Sequence, residues 1–256
     1  MSEIVLERVG NVAVITLAAP ERRNAFLPAM VTELIAACDA VDADPGVGAV
    51  VVQAQGDSFC AGAHRELLAA AERDPLSTAN YRALSLVYQA FVRVGALEVP
   101  SIAAVRGHAV GAGVNLMLAT DLRIVAETAS IVTGFRRIGV HPGGGHFTLL
   151  GRSGSREAAA ALGLFGLEID GRRAAEVGLA WECLPAAEVE PRALEIAAEV
   201  ASDPELARAT TRSFRIELGP PAATWPAALE VERAPQLWSL HRRETARKEG
   251  LDESRR

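Results

Sequence analysis

Lysine is all but missing from this chain of 256 residues. Lys248 is the single example, and arginine supplies the rest of the 26 basic side chains. No G-K-[ST] sequence occurs, so a P-loop has no lysine to build on. Basic charge is also outnumbered, because 32 Asp and Glu leave a net charge of −6. That balance argues against nucleic acid as a partner, whose binding rests on a basic surface that neutralises phosphates. Arginine does grip anionic oxygens bidentately, so a phosphate-bearing small ligand stays open. A GC-rich genome accounts for the arginine bias itself. Cysteine is scarce too. Cys38, Cys60 and Cys183 stand far apart in no metal-ligand spacing, which suits reduced thiols in a cytoplasm better than a disulfide framework. No apolar run approaches the roughly 18–20 residues needed to span a bilayer. The opening MSEIVLERVGNVAVITL begins acidic and alternates, unlike a basic-then-apolar leader. These absences predict a cytoplasmic protein that binds neither nucleic acid nor membrane.

What is present is a chain able to bury a core. Half of the residues are hydrophobic, 23% are charged, and the mean hydropathy is +0.17. IVLERVGNVAVITL reads as two alternating strands around Gly10-Asn11, a hairpin signal. Val31, Leu34, Ile35, Cys38 and Val41 recur at helical spacing, predicting a helix over residues 28–42. GAVVVQAQG (48–56) is a continuous apolar run suited to a strand buried on both faces. Residues 76–94 return to the helical period. SIAAVRG (101–107) is a further strand candidate, followed by an apolar helix through Thr120 and a strand at 121–127. Strands alternating with helices predict an α/β core with crossovers. After about residue 155 the strand pattern disappears and the chain reads as helical. RKEGLDESRR (247–256) is too polar to pack and is predicted to fray. No internal repeat is evident.

Three glycine-bearing stretches carry the chemical interest. VGAGVNL (110–116) and SFCAGAHREL (58–67) each follow a predicted strand and lead into a helix. Backbone N–H groups at such junctions have no intrahelical acceptor and face whatever lies in front of them. Together the two could aim one N–H each at a single oxygen, as an oxyanion hole requires. Close helix–strand packing is the plainer reading of either one. The third glycine of G-x-G-x-x-G is missing, so a dinucleotide site has little support. HPGGGH (141–146) has a poor zinc spacing, because its glycines oppose a helix and no third ligand lies near. An esterase would need G-x-S-x-G as well, and GRSGS (151–155) has the wrong order.

Taken together, the chain resembles the enoyl-CoA hydratase/isomerase (crotonase) superfamily over essentially its whole length. The resemblance is carried by ERRNAF, FCAGAH, PSIAAVRGHAVGAGVNLMLATDLRIVAE, the G-x-x-P-G-x-G element at 139–145, and GRRAAEVGLAWECLP, in that order. It implies a spiral of ββα units: an α/β core with a CoA-thioester site over residues 1–195, and a helical trimerisation region over residues 196–256. It further implies a homotrimer or a dimer of trimers, an acyl-CoA thioester as substrate, and no separate cofactor or metal.

Carried over residue by residue, the oxyanion N–H donors fall on Ala63 and Ala112, with Ala61, Gly62, His64, Gly111 and Gly143 around the substrate. Arg22 and Arg23 occupy the segment that helps hold the CoA phosphates, although a solvated surface pair is the rival reading. The two glutamates that move protons in family hydratases fall on Asn115 and Phe135. A further acid position, used by isomerase and dehalogenase relatives, falls on Gly143. Neither Asn115 nor Phe135 can take a proton. His146 stands where relatives have a small residue. Imidazole titrates near working pH, so His146 is the candidate replacement acid/base, the alternative being that it only fills space. His141 is read as structural. The depth of the acyl pocket is expected to depend on the segment around residues 66–82.

A positioned acid or base contributes about 10²–10⁴-fold and an oxyanion donor about 10²–10³-fold. Such a site would polarise a thioester well and hydrate it poorly. Three readings follow: an enoyl-CoA lyase or isomerase with a substituted acid/base, a relative performing thioester hydrolysis or decarboxylation, or a catalytically silent acyl-CoA-binding protein.

Overall fold

A computed structural model describes residues 2–217 and 225–248. The predicted hairpin forms as β1 (Ile4–Val9) and β2 (Val12–Leu17), paired antiparallel across Gly10-Asn11. After a single 3₁₀ turn comes α1 (Pro28–Ala43), with proline at its first position, where no N–H is needed. The chain then makes three ββα turns. Their strands are β3 (Ala49–Ala54) with β4 (Ser58–Cys60), β5 (Ser101–Val105) with β6 (His108–Val110), and β7 (Leu122–Ala126) with β8 (Ser130–Val132). The helices that follow them are α2 (Arg65–Arg73) and α3 (Thr78–Gly95), then α4 (Ala112–Ala119), then α5 (His146–Ser153).

In every turn the first strand joins one sheet and the second joins another. With two later strands, β9 (Glu168–Asp170) and β10 (Glu182–Leu184), the six-stranded sheet runs β1-β2-β3-β5-β7-β10 and the four-stranded sheet runs β4-β6-β8-β9. This is a spiral of ββα units, as the resemblance implies. The repeat is structural only. Its second strands have three residues each, too few to print an alternating pattern on the sequence.

The helical reading of the C-terminal third needs correcting for the same reason. After α6 (Arg156–Ala159) and a π-helical turn at Ala160–Leu164, the chain forms β9 (Glu168–Asp170), α7 (Gly171–Glu176) and β10 (Glu182–Leu184). β9 pairs antiparallel with β8, and β10 pairs parallel with β7. Both strands are three residues long, so pairing partners rather than period define them. Then come α8 (Val189–Val200), α9 (Pro204–Glu217) and α10 (Trp225–Lys248). α8 runs unbroken through residue 195 and lies against β2, β3, β5 and β7. Val189, Ala193 and Ala197, one helical turn apart, are its buried face. Every residue of β2 and β5 is buried, as expected of strands covered on both faces.

Arg247 and Lys248, read as part of a fraying tail, close α10. Arg247 pairs with the carboxylate of Glu72 at 2.9 Å, so this end does pack. The rest of that tail, from residue 249, lies outside the described residues. Among the described residues no helix is long and apolar enough to cross a membrane.

Candidate active site

The first glycine junction is pinned by the ERRNAF stretch. Arg23 and Asn24 both adopt left-handed backbone angles, φ 56° and 55°, a conformation asparagine tolerates better than most residues. The fully buried Asn24 accepts from Ala19 N–H at 2.9 Å through Oδ1. Its Nδ2 donates to the carbonyls of Gln55 and Ser58 at 2.9 and 2.8 Å. So tethered, the turn grips the segment after β4: Ala61 N–H donates to Arg23 O, and Phe26 and Ala63 form a parallel bridge. The bridge uses Gly62 O and His64 N–H, at 2.7 and 3.0 Å from the backbone of Phe26. The N–H of Ala63 therefore faces the other way, into a cavity that Ala63 lines. It has no hydrogen-bond acceptor among the described residues.

The second junction is the start of α4. Gly111 is its N-cap at φ 53° and ψ −113°, angles closed to residues with a Cβ. The Gly111 carbonyl accepts from both Val114 and Asn115 N–H, which leaves the N–H of Ala112 without an intrahelical acceptor. A Cβ on Gly113 would sit 2.0 Å from the Cys60 carbonyl oxygen, so only glycine lets the helix end approach β4 this closely. The packing and the donor readings of these glycines thus apply to different residues of one motif. A Cβ on Gly62 would lie 3.2 Å from Ala112 N, which places the two junctions side by side. Cys60, beside them, is fully buried and its thiol is pushed up to about 12 by desolvation. It is not a nucleophile.

The cavity, of about 250 Å³, has Ala63 and Ala112 on one side, with Asn115, Phe135 and Gly143 also in its lining. Its apolar wall comes from α2 and α3, including Leu68, Leu84, Val87 and Phe91. The segment at 66–82 thus supplies α2 and the start of α3. Asn115 is 1% exposed, and its Nδ2 donates to Gly143 O at 3.0 Å. A carbonyl can only accept, so this contact fixes the amide, and Oδ1 must face His146 Nδ1 at 2.6 Å. The imidazole therefore carries its proton on Nδ1. Burial drives the His146 pKa from 6.5 down to about 3, so the ring is neutral at working pH. Phe135 meets that ring edge-on, with centroids 5.0 Å apart.

The three glycines of HPGGGH admit side chains of the same chain. A Cβ on Gly143 would fall 2.3 Å from the Gln236 amide nitrogen, and one on Gly145 would fall 2.6 Å from Trp225 Nε1. Gln236, which lines the cavity, and Trp225, which braces the loop behind it, are both on α10 and were missed by sequence reasoning. A run of three glycines was the only signal that something large had to be let in.

The remaining candidates lie outside this cavity or at its edge. Arg22 is held by Glu3 at 2.6 Å, by Glu21 at 3.1 Å and by the Ala25 carbonyl. Arg23 is exposed with no ion-pair partner among the described residues. His64 caps α2, its Nδ1 accepting from Glu66 N–H at 3.4 Å, a job an aspartate does as well. His141 Nδ1 meets the Pro142 carbonyl at 2.6 Å. Among the described residues no group of three His, Cys, Asp or Glu could hold a metal ion.

A two-sheet ββα spiral with paired backbone donors at the mouths of two glycine junctions defines a class, and the comparisons give the same one. Residues 7–252 match the enoyl-CoA hydratase/isomerase family, and the chain belongs to it. It is 40% identical over 224 residues to a probable enoyl-CoA hydratase of Mycobacterium tuberculosis, spanning 87% of this chain and 83% of that one. A solved enoyl-CoA hydratase from Bacillus anthracis is 28% identical with a TM-score of 0.76, covering 97% of this chain and 94% of its own. That from Bacillus halodurans, at 23% identity and TM-score 0.83 over 96% and 100% of the two chains, shares the fold.

Proposed function

We propose that the cavity binds an acyl-CoA thioester, with the N–H groups of Ala63 and Ala112 holding the thioester carbonyl and the enolate that forms from it. The observation that carries this reading is the pair of adjacent backbone donors without acceptors at one cavity. Each donor aimed at a developing oxyanion is worth about 10²–10³-fold in rate. Ala61, Gly62, Gly111 and Gly143 shape the contact with the substrate. The exposed Arg23, more than the engaged Arg22, is available to the CoA phosphates.

In this reading Asn115 and Phe135 stand where hydratases of the family carry glutamates. Neither ionises, and His146, neutral and shielded behind Asn115, orients that amide rather than shuttling protons. Hydration places hydroxide on the β-carbon and a proton on the α-carbon. Without either carboxylate, proton transfer falls to water, and the enolate chemistry outlasts the hydration chemistry. A lining without Asp or Glu among the described residues favours a second reading, thioester hydrolysis or decarboxylation on the same donors. The three cysteines are free thiols, in keeping with a cytoplasmic protein. Leu206 and Phe214 on α9 are exposed apolar side chains suited to a homotrimer or dimer of trimers built through residues 196–256.

Chromatography and mass spectrometry of enoyl-, 3-oxoacyl- and malonyl-type thioesters incubated with the protein test these readings. A water adduct or a shifted double bond supports the first reading. Free CoA or lost carbon dioxide supports the second. Unchanged thioesters that still raise the melting temperature mean a binder without turnover.

A further inference from the structure

We infer that Gln236, delivered by α10 of the same chain, is a specificity-determining residue that limits the size of the acyl group on the Gly143 side of the cavity. This rests on the acyl-CoA reading and extends it to the choice of acyl chain. Gln236 is 5% exposed, lines the cavity, and puts its whole amide within 2.6 Å of where a Cβ on Gly143 would stand. Gly143 and Gln236 therefore share one volume. The backbone at Gly143 is not in the left-handed region, so space and not backbone strain bars a side chain there, and the nearest atoms in that space are those of the Gln236 amide.

The amide is held in place by the docking of its helix. Leu229, Gln236 and Leu240 fall on one face of α10 and are all buried. Upstream, Trp225 Nε1 donates to Gly144 O at 3.2 Å and its ring stacks on Phe91 at 6.2 Å. Downstream, Leu240 and Leu237 pack with Ala71, Leu84 and Val140, and Arg247 pairs with the 3% exposed Glu72. A side chain anchored on both sides, ending in a cavity walled by leucine, valine and phenylalanine, acts as a stop for an apolar chain. Cutting it back to alanine extends the cavity by the volume of a carboxamide and one methylene.

The test has two arms. In the first, Gly143→Ala is measured in the wild-type and Gln236→Ala backgrounds. Overpacking should lower the melting temperature by about 4–8 °C in the wild type, and by less than half of that in the Gln236→Ala background. Equal losses in both would place the amide elsewhere and overturn the inference. In the second, affinities are measured for acyl-CoA analogues of increasing chain length with methylene in place of sulfur, which keep the carbonyl and resist hydrolysis. Gln236→Ala should bind the longer analogues about 10-fold or more tightly than wild type does, the effect of a methylene in an apolar pocket. Gln236→Met, of similar volume, should restore the wild-type limit. Coinciding profiles for wild type and Gln236→Ala would overturn the role. If no form binds any analogue, the acyl-CoA reading fails and the specificity role falls with it, while the first arm still locates the side chain.

Discussion

The two sides of the cavity are built on different principles. On one side, Ala63 and Ala112 offer backbone N–H groups fixed by a bridge to Phe26 and by the first turn of α4. On the other, Asn115, Phe135 and Gln236 offer two amides and a phenyl ring, with the neutral imidazole of His146 behind Asn115. Backbone donors survive side-chain drift, because alanine presents the same N–H as glycine. Acid/base groups do not, because their chemistry resides in the side chain. In the proposed reading, the electrostatic half of the site rests on backbone groups, while positions 115 and 135 carry no carboxylate for proton transfer.

The strongest way to break the contrast is to remove a donor without touching a side chain. Ala112→Pro deletes one N–H at a helical position where proline is well tolerated. It should lower thioester turnover about 10²–10³-fold while circular dichroism and melting temperature stay near wild type. A next test addresses the neutral half. Burial puts the folded pKa of His146 at about 3, below its ordinary 6.5. Between those values the unfolded chain binds more protons, so stability falls with falling pH, by up to about 1.4 kcal/mol per unit. A melting series from pH 7 to 4 should show that acid limb, and His146→Gln should flatten it. Activity between pH 7 and 9 should show no limb from this ring. Smaller still, Trp225→Phe keeps the stacking on Phe91 but loses the bond to Gly144 O. Denaturant unfolding should register about 1 kcal/mol. Least of all, Arg23→Ala should weaken CoA-thioester affinity by less than about 1 kcal/mol, and less at high salt. Arg22→Ala, already committed to Glu3, should change affinity less but stability more.

Much of the donor side was legible because it is local. Glycine at 111 and 113, and asparagine at 24, are chemical necessities of particular turns, and such necessities recur as motifs. The hairpin, α1 and α3 were legible through period, and β3 through its continuous apolar run. The three-residue strands β9 and β10 were not, because nothing so short has a period. α2 was legible only as the helix that the SFCAGAHREL junction leads into, because RELLAAAER, with two leucines, prints little period. The neutrality of His146 was invisible for another reason: a pKa depends on what surrounds a ring, and its neighbours at 115 and 135 come from other elements. Gln236 was the least legible, since only the docking of α10 brings it to Gly143.

That docking has a consequence for how the molecule is made. The paired donors are in place by the start of α4 and the last sheet strand, β10, by residue 184, yet the wall at Gly143 and the brace on Gly144 arrive with α10. A chain cut before residue 225 would lack that flank of its pocket. In the proposed reading, selectivity for the acyl group therefore waits until α10 has been synthesised and seated against Gly143.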